Sequence, residues 1–201
     1  MGTRIVDAWN GWYHLNGNTY GTWIRGDERG WRARHHREHV DGNYKHPPPP
    51  EKHAEERNAS RKLMGDAVRL SAEARRVACG VIVESLLHQK VEVIACAIDD
   101  HHYHVLARFR MPRPLPVDAA WLVKTRHQPI YAYVRHVFGL AKSRSTRALS
   151  GSGLVPEGGV WSKRFKITPV SDRAHQVAVY RYILRHGTRR AATWRVGDDP
   201  E

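Results

Sequence analysis

The feature that most constrains this chain is the pair of apolar runs VEVIACAI (91–98) and HYHVLARF (102–109). Both are rich in β-branched and aromatic residues, and a short acidic turn with Asp99 and Asp100 separates them, which predicts adjacent antiparallel strands. On the N-terminal side, Ala72 to Gln89 carries Val77, Val81, Ile82 and Leu86 at helical spacing, with Ser71 as N-cap and Lys90 as the stop. On the C-terminal side, Pro129 opens another helix with Tyr133, Val137, Leu140 and Ala141 as its apolar stripe. Lys142, Arg144 and Arg147 fall near its end, where cations suit the helix dipole. Gly151 to Gly159 reads as a loop and GVWSKRFKITPV as a further strand. Asp172 then caps a last helix, RAHQVAVYRYILRH, stopped by Gly187. Near the N-terminus, WYHLNGNTYGTWI (12–24) reads as a first strand and a turn. Helices alternating with hairpin-like strand pairs predict an α+β protein with an antiparallel sheet, and no internal repeat is visible.

With 201 residues and 41% hydrophobic content, a single domain over residues 1–201 is expected. Its least ordered part is a basic insertion at about 25–60, closed by Pro47 to Pro50; it buries little apolar surface and reads as a loop or semi-rigid arm. Order resumes near Ser71. Cys79 and Cys96 have no C-x-x-C partner and read as buried small hydrophobes of a reducing compartment. No apolar run approaches the roughly 20 residues that span a bilayer, so the expectation is a cytoplasmic protein without a membrane.

Charge narrows the partner. A formal net charge of +13, from 33 Lys+Arg against 20 Asp+Glu spread along the chain, points to a polyanion, nucleic acid first. A soluble basic protein without such a partner has the same composition.

The histidines carry the chemistry. With 14 of them in 201 residues, roughly one His-x-His is expected by chance, and one is present. Position adds what spacing does not: in a strand, residues i and i+2 share a face, so His102 and His104 project together while Tyr103 and Val105 point away. Two readings stand at this point, a pair of imidazoles binding one divalent ion or two neutral histidines on a solvated face. In the last helix His175, Val179, Tyr182 and His186 share one stripe, with Val177, Tyr180 and Leu184 roughly opposite. If the latter stripe is core, Tyr182 is free to react; if not, it is a structural tyrosine.

Four segments in order, YHLNGN, HYHVL, VWSKRF and YILRHGTRRAATW, resemble the single-tyrosine HUH transposases of the REP-associated type, with their patterns YHVTxRGN, NHVHLL, LWQxRF and YIxxNPVRAGLV. The likeness runs over most of residues 12–194, apart from the insertion. It implies a ferredoxin-like antiparallel sheet with helices packed on it, and cleavage and rejoining of single-stranded DNA at hairpin-forming ends. Carried over residue by residue, His102 and His104 match the His-hydrophobic-His pair and Tyr182 the nucleophile. His186 stands where the family has Asn or Gln, and the Asn-Pro stretch is replaced by His186 to Ala191.

The resemblance thus implies a divalent metal ion, Mg²⁺ or Mn²⁺, held by His102, His104 and His186, with three nitrogen donors shifting preference toward Mn²⁺ or softer ions. Asp99 or Asp100 is a candidate outer-shell acceptor, Glu92 and Gln176 vaguer ones. Expected DNA contacts are Arg108, Lys142, Arg144, Arg147, Trp161, Lys163 and Arg164, with Arg110 and Lys166 nearby. Trp23, Trp31, Trp161 and Trp194 are candidates to stack bases, and the segment 25–37 to order on a DNA hairpin. The rival is an inactive basic nucleic-acid-binding module of the same fold. A zinc hydrolase has less support, because no H-E-x-x-H is present. Whether the last helix packs within one chain or across a homodimer is open.

Overall fold

The structure, a computed structural model, describes residues 8–24, 26–27, 49–113 and 129–198. Trp31 and nearly all of the arm from 25 to 37 lie outside the described residues. Among the described residues five strands form one sheet: β1 (Trp12–Asn18), β2 (Glu92–Ile98), β3 (His102–Arg108), β4 (Lys166–Pro169) and β5 (Ala192–Arg195). Their order is β4-β1-β3-β2-β5, and every neighbouring pair is antiparallel. Four α-helices among the described residues accompany them: α1 (Ala54–Met64), α2 (Ala72–His88), α3 (Pro129–Gly151) and α4 (Arg173–Leu184). The protein is therefore α+β, as expected.

The β2–β3 hairpin and α2 form where periodicity places them. Ser71 Oγ accepts the Ala74 N–H at 3.1 Å, and Lys90 leaves the helix with a left-handed φ of 59°. Asp172 caps α4 by accepting the His175 N–H at 2.8 Å.

Strand alternation divides the sheet into two faces. Tyr13 and Leu15 of β1 and Tyr103, Val105 and Ala107 of β3 join buried residues of α2 and α3 in the larger core. Trp12, Ala95, Ala97 and Leu106 point the other way and, with Val170 and with Val179 and Ile183 of α4, make a smaller cluster. A register irregularity between Val93 and Ala95 lets β2 contribute Val93 and Cys96 to one face and Ala95 and Ala97 to the other. Gly17 is required by the larger core, because a Cβ there would meet Tyr103 Cζ at 2.8 Å.

Several expectations need correction. The insertion at about 25–60, read as a loop or semi-rigid arm, ends in helix: α1 spans 54–64, buries no residue, and its Glu55 and Glu56 at the start and Arg61 and Lys62 at the end match the helix dipole. Gly26, at φ 82°, lies so close to this helix that a Cβ would come within 2.8 Å of Arg57 Cα. The apolar stripe of α3 is centred on Val134, Phe138 and Ala141, and Leu140 is exposed, because α3 packs against both the sheet and α2. The strand expected over 159–170 is ordered as β only at 166–169, with Trp161 making an isolated bridge to Thr19. Gly187 does not stop the last helix: a 3-10 segment, Arg185–Arg189, runs through it and ends at Arg190 with φ 72°. That turn then feeds β5, a strand the sequence pattern did not predict.

Candidate metal centre

His102 and His104 leave β3 on the α4 face, with ring centroids 5.2 Å apart, while Tyr103 turns into the opposite core against Phe138 and Trp161. α4 and the 3-10 turn after it bring His186 to the same place, its ring centroid 5.1 Å from His102 and 4.7 Å from His104. One nitrogen of each of the three rings lies within 4.8 Å of the others. Two ligands about 2.1 Å from one ion are at most about 4.2 Å apart, so sub-ångström ring shifts suffice to close the triangle. These three histidines can hold a metal ion.

The surroundings fit such an ion. His104 and His186 are buried and His102 is partly so. Burial holds all three imidazoles below the ordinary histidine range, so they are neutral donors at pH 7. His186 Nδ1 is buried without a hydrogen-bond partner. An orphaned ring nitrogen is costly unless something compensates it. Asp99 Oδ2 lies 3.8 Å from His102 Nε2 and 3.9 Å from His186 Nδ1, so one carboxylate stands near both rings without a direct hydrogen bond to either. Its Oδ1 accepts the Asp100 N–H at 2.8 Å and lies 3.8 Å from Arg75. Asp100 instead pairs with His101 and Arg69, so of the two acidic residues in the turn Asp99 is the one that faces His102 and His186. Glu92 and Gln176 do not serve that role: Glu92 pairs with Arg108, and Gln176 accepts from Arg173.

Tyr182 sits over this group. It is 41% exposed, and its ring stands edge-on to His104 at 5.1 Å and to His186 at 5.0 Å. The buried stripe of α4 is Gln176, Val179 and Ile183, which corrects the two stripes read from sequence and leaves Tyr182 at the rim. All of these residues meet within one chain.

Sequence reading missed His14. Its Nε2 is 3.0 Å from His104 Nδ1 and the two rings stack at 5.2 Å; burial first, then nearby His175 and Lys166, lowers its pKa to about 4. The available signal was the alternation of β1, which turns His14 away from the core side taken by Tyr13 and Leu15. Lys166, already expected near the DNA contacts, stands opposite Asn16 in the β1–β4 ladder; Arg185 and Arg189, which act electrostatically on His186, were missed.

The expected DNA contacts are scattered. Lys142 is buried on the far side of the sheet, donating to the Ser162 carbonyl at 2.7 Å and lying over Phe165, with burial holding its pKa to about 8. Trp161 is core, its indole N–H donating to Ser145 Oγ at 2.9 Å. Trp194 is buried as well, whereas Trp23 is 48% exposed. Arg144 and Arg147 are exposed on α3, across the sheet from the histidines. Arg108 pairs with Glu92 and covers Trp12 on the histidine face, and Lys163 and Arg164 are exposed just before β4.

No family model matches the sequence, and it has no match among the curated proteins or the solved structures. No helix among the described residues is long and apolar enough to cross a membrane.

Proposed function

We propose that the chain is a metal-dependent transposase of the HUH type that cleaves and rejoins single-stranded DNA through a 5′-phosphotyrosine intermediate, with Tyr182 as nucleophile. The observation that carries this reading is one half-exposed phenol set edge-on against two of three converging imidazoles. The topology supports it: β1-α2-β2-β3-α3-β4 with strand order 4-1-3-2 is the split β-α-β pattern of a ferredoxin-like sheet, with β5 added beside β2.

Tyr182 Oη attacks the scissile phosphorus, the new O–P bond forms as the bond to the 3′ oxygen breaks, and a 3′-hydroxyl leaves. The phenol gives up its proton and the departing oxygen gains one, so the reverse reaction reseals the strand. A divalent cation bound by His102, His104 and His186 supplies Lewis acidity to the phosphate. The neutral rings offer lone pairs, Asp99 places a carboxylate within 3.9 Å of two of them, and Lys166, Arg185 and Arg189 place positive charge around the reacting group.

The test is a labelled single-stranded oligonucleotide with Mn²⁺. The expected result is a covalent adduct with the wild type, none with Tyr182→Phe at unchanged binding, and a full adduct with Tyr180→Phe, whose ring packs with the α4 cluster. An undiminished adduct in Tyr182→Phe contradicts the assignment. Binding without any wild-type adduct identifies the inactive nucleic-acid-binding module instead.

A further inference from the structure

His14 lies outside the ligand triangle, yet its ring is in hydrogen-bond contact with His104. The β1–β3 register pairs Asn16 with His104 and His14 with Leu106, so His14 is the diagonal neighbour of His104 on the same face. The rings stack with an interplanar angle of 28°, and Nε2 of one lies 3.0 Å from Nδ1 of the other. Between two neutral imidazoles at that distance, one nitrogen carries a proton and the other a lone pair. If His14 donated, His104 would carry its proton on Nε2, and that nitrogen would have no lone pair for a cation. If His104 donates, its Nε2 lone pair is left facing the triangle.

We propose that His14 is a positioning residue: its Nε2 accepts the Nδ1 proton of His104 and thereby fixes Nε2 of His104 as the ligating atom. This rests on the reading of His102, His104 and His186 as a cation site. His104 then has an acceptor on its outer side at hydrogen-bond distance, while Asp99 stands 3.8 Å from His102 and 3.9 Å from His186. A neutral acceptor differs from a carboxylate in one respect: it orients His104 without adding negative charge to the centre. His14 must then carry its own proton on Nδ1.

Long-range ¹H–¹⁵N correlation spectra of the ¹⁵N-labelled, metal-free full chain at pH 8 read both tautomers directly. The expected result is a proton on Nδ1 in both His14 and His104. A proton on Nε2 of His104 overturns the proposal without recourse to any variant. In His14→Leu, His104 is expected to populate the Nε2–H form and Mn²⁺ affinity, followed by electron paramagnetic resonance, to fall by about ten-fold or more. His14→Gln keeps an acceptor oxygen and is expected to recover most of that affinity. Unchanged Mn²⁺ affinity in a folded His14→Leu protein overturns the positioning role. A wild type with the expected tautomers that binds no Mn²⁺ overturns the cation-site reading, and leaves the hydrogen-bond direction established.

Discussion

On one face of the sheet, Tyr103, Val105 and Ala107 of β3 disappear beneath α2 and α3; on the other, His102, His104 and Leu106 of the same strand meet the thinner cover of α4. The first face is closed with large apolar side chains, among them Tyr103, Phe138, Leu15 and Ile82, each fully buried. Burial of such side chains is worth roughly 1.5–3 kcal/mol apiece, so this face supplies most of the stability. The second face buries a short apolar patch at one end and neutral histidines at the other, beside a tyrosine that stays open to solvent. A single alternating strand thus serves a core and a site at once. The main core and the candidate metal centre are separable because they lie on opposite sides of it.

The sharpest way to break that division is to damage the core alone. Phe138→Ala is expected to lower the unfolding free energy by about 3–5 kcal/mol in a denaturant titration while leaving the Mn²⁺ affinity of the folded protein unchanged. Equal loss on both measurements would show that the faces are coupled. Next in size is the converse. Mn²⁺ at about a hundred times its dissociation constant should stabilise the wild type by about 2.7 kcal/mol, seen as a raised melting temperature, and His102→Ala should remove the shift. The same shift in that variant would place the ion elsewhere.

A smaller effect comes from acid. His14, His102, His104 and His186 have pKa values lowered mainly by burial, so below about pH 6.5 the unfolded chain takes up protons that the folded chain refuses. Their contribution is complete above that pH and is lost as pH falls toward the folded values, about 4 for His14. For His104, 7% exposed, the slope is expected to reach at most about 1.4 kcal/mol per pH unit. Melting of the metal-free protein from pH 7.5 to 4.5, wild type against His104→Gln, checks it. The α2–α3 face adds no such slope through Tyr103, whose hydroxyl burial pushes up and keeps protonated. An equal slope in both proteins would contradict burial of the His104 imidazole as its source.

What could be read in advance follows the same division. Local signals were enough for the hairpin, α2, the Ser71 and Asp172 caps and the shared direction of His102 and His104, because each depends on residues a few positions apart. The meeting of Tyr182 and His186 with β3 came from the resemblance, since their partners lie about eighty residues away in the chain. His14 stayed hidden for a related reason: the β1–β3 register that sets it beside His104 is a long-range fact with no local trace. Lys142 and Trp161 misled because charge and aromaticity describe what a side chain can do and not which way its helix or strand turns it. α1 was hidden by its polarity: it carries few apolar residues, buries none, and lies in a charged stretch that reads as a loop.

Paramagnetic line broadening on titration with Mn²⁺ tests the three-imidazole centre most directly. The ring signals of His102, His104 and His186 are predicted to vanish first and together, Tyr182 to follow, and Tyr103, facing the other way on the same strand, to be affected later than all four. Broadening that begins at exposed carboxylates, or that treats His102 and Tyr103 alike, would contradict such a centre.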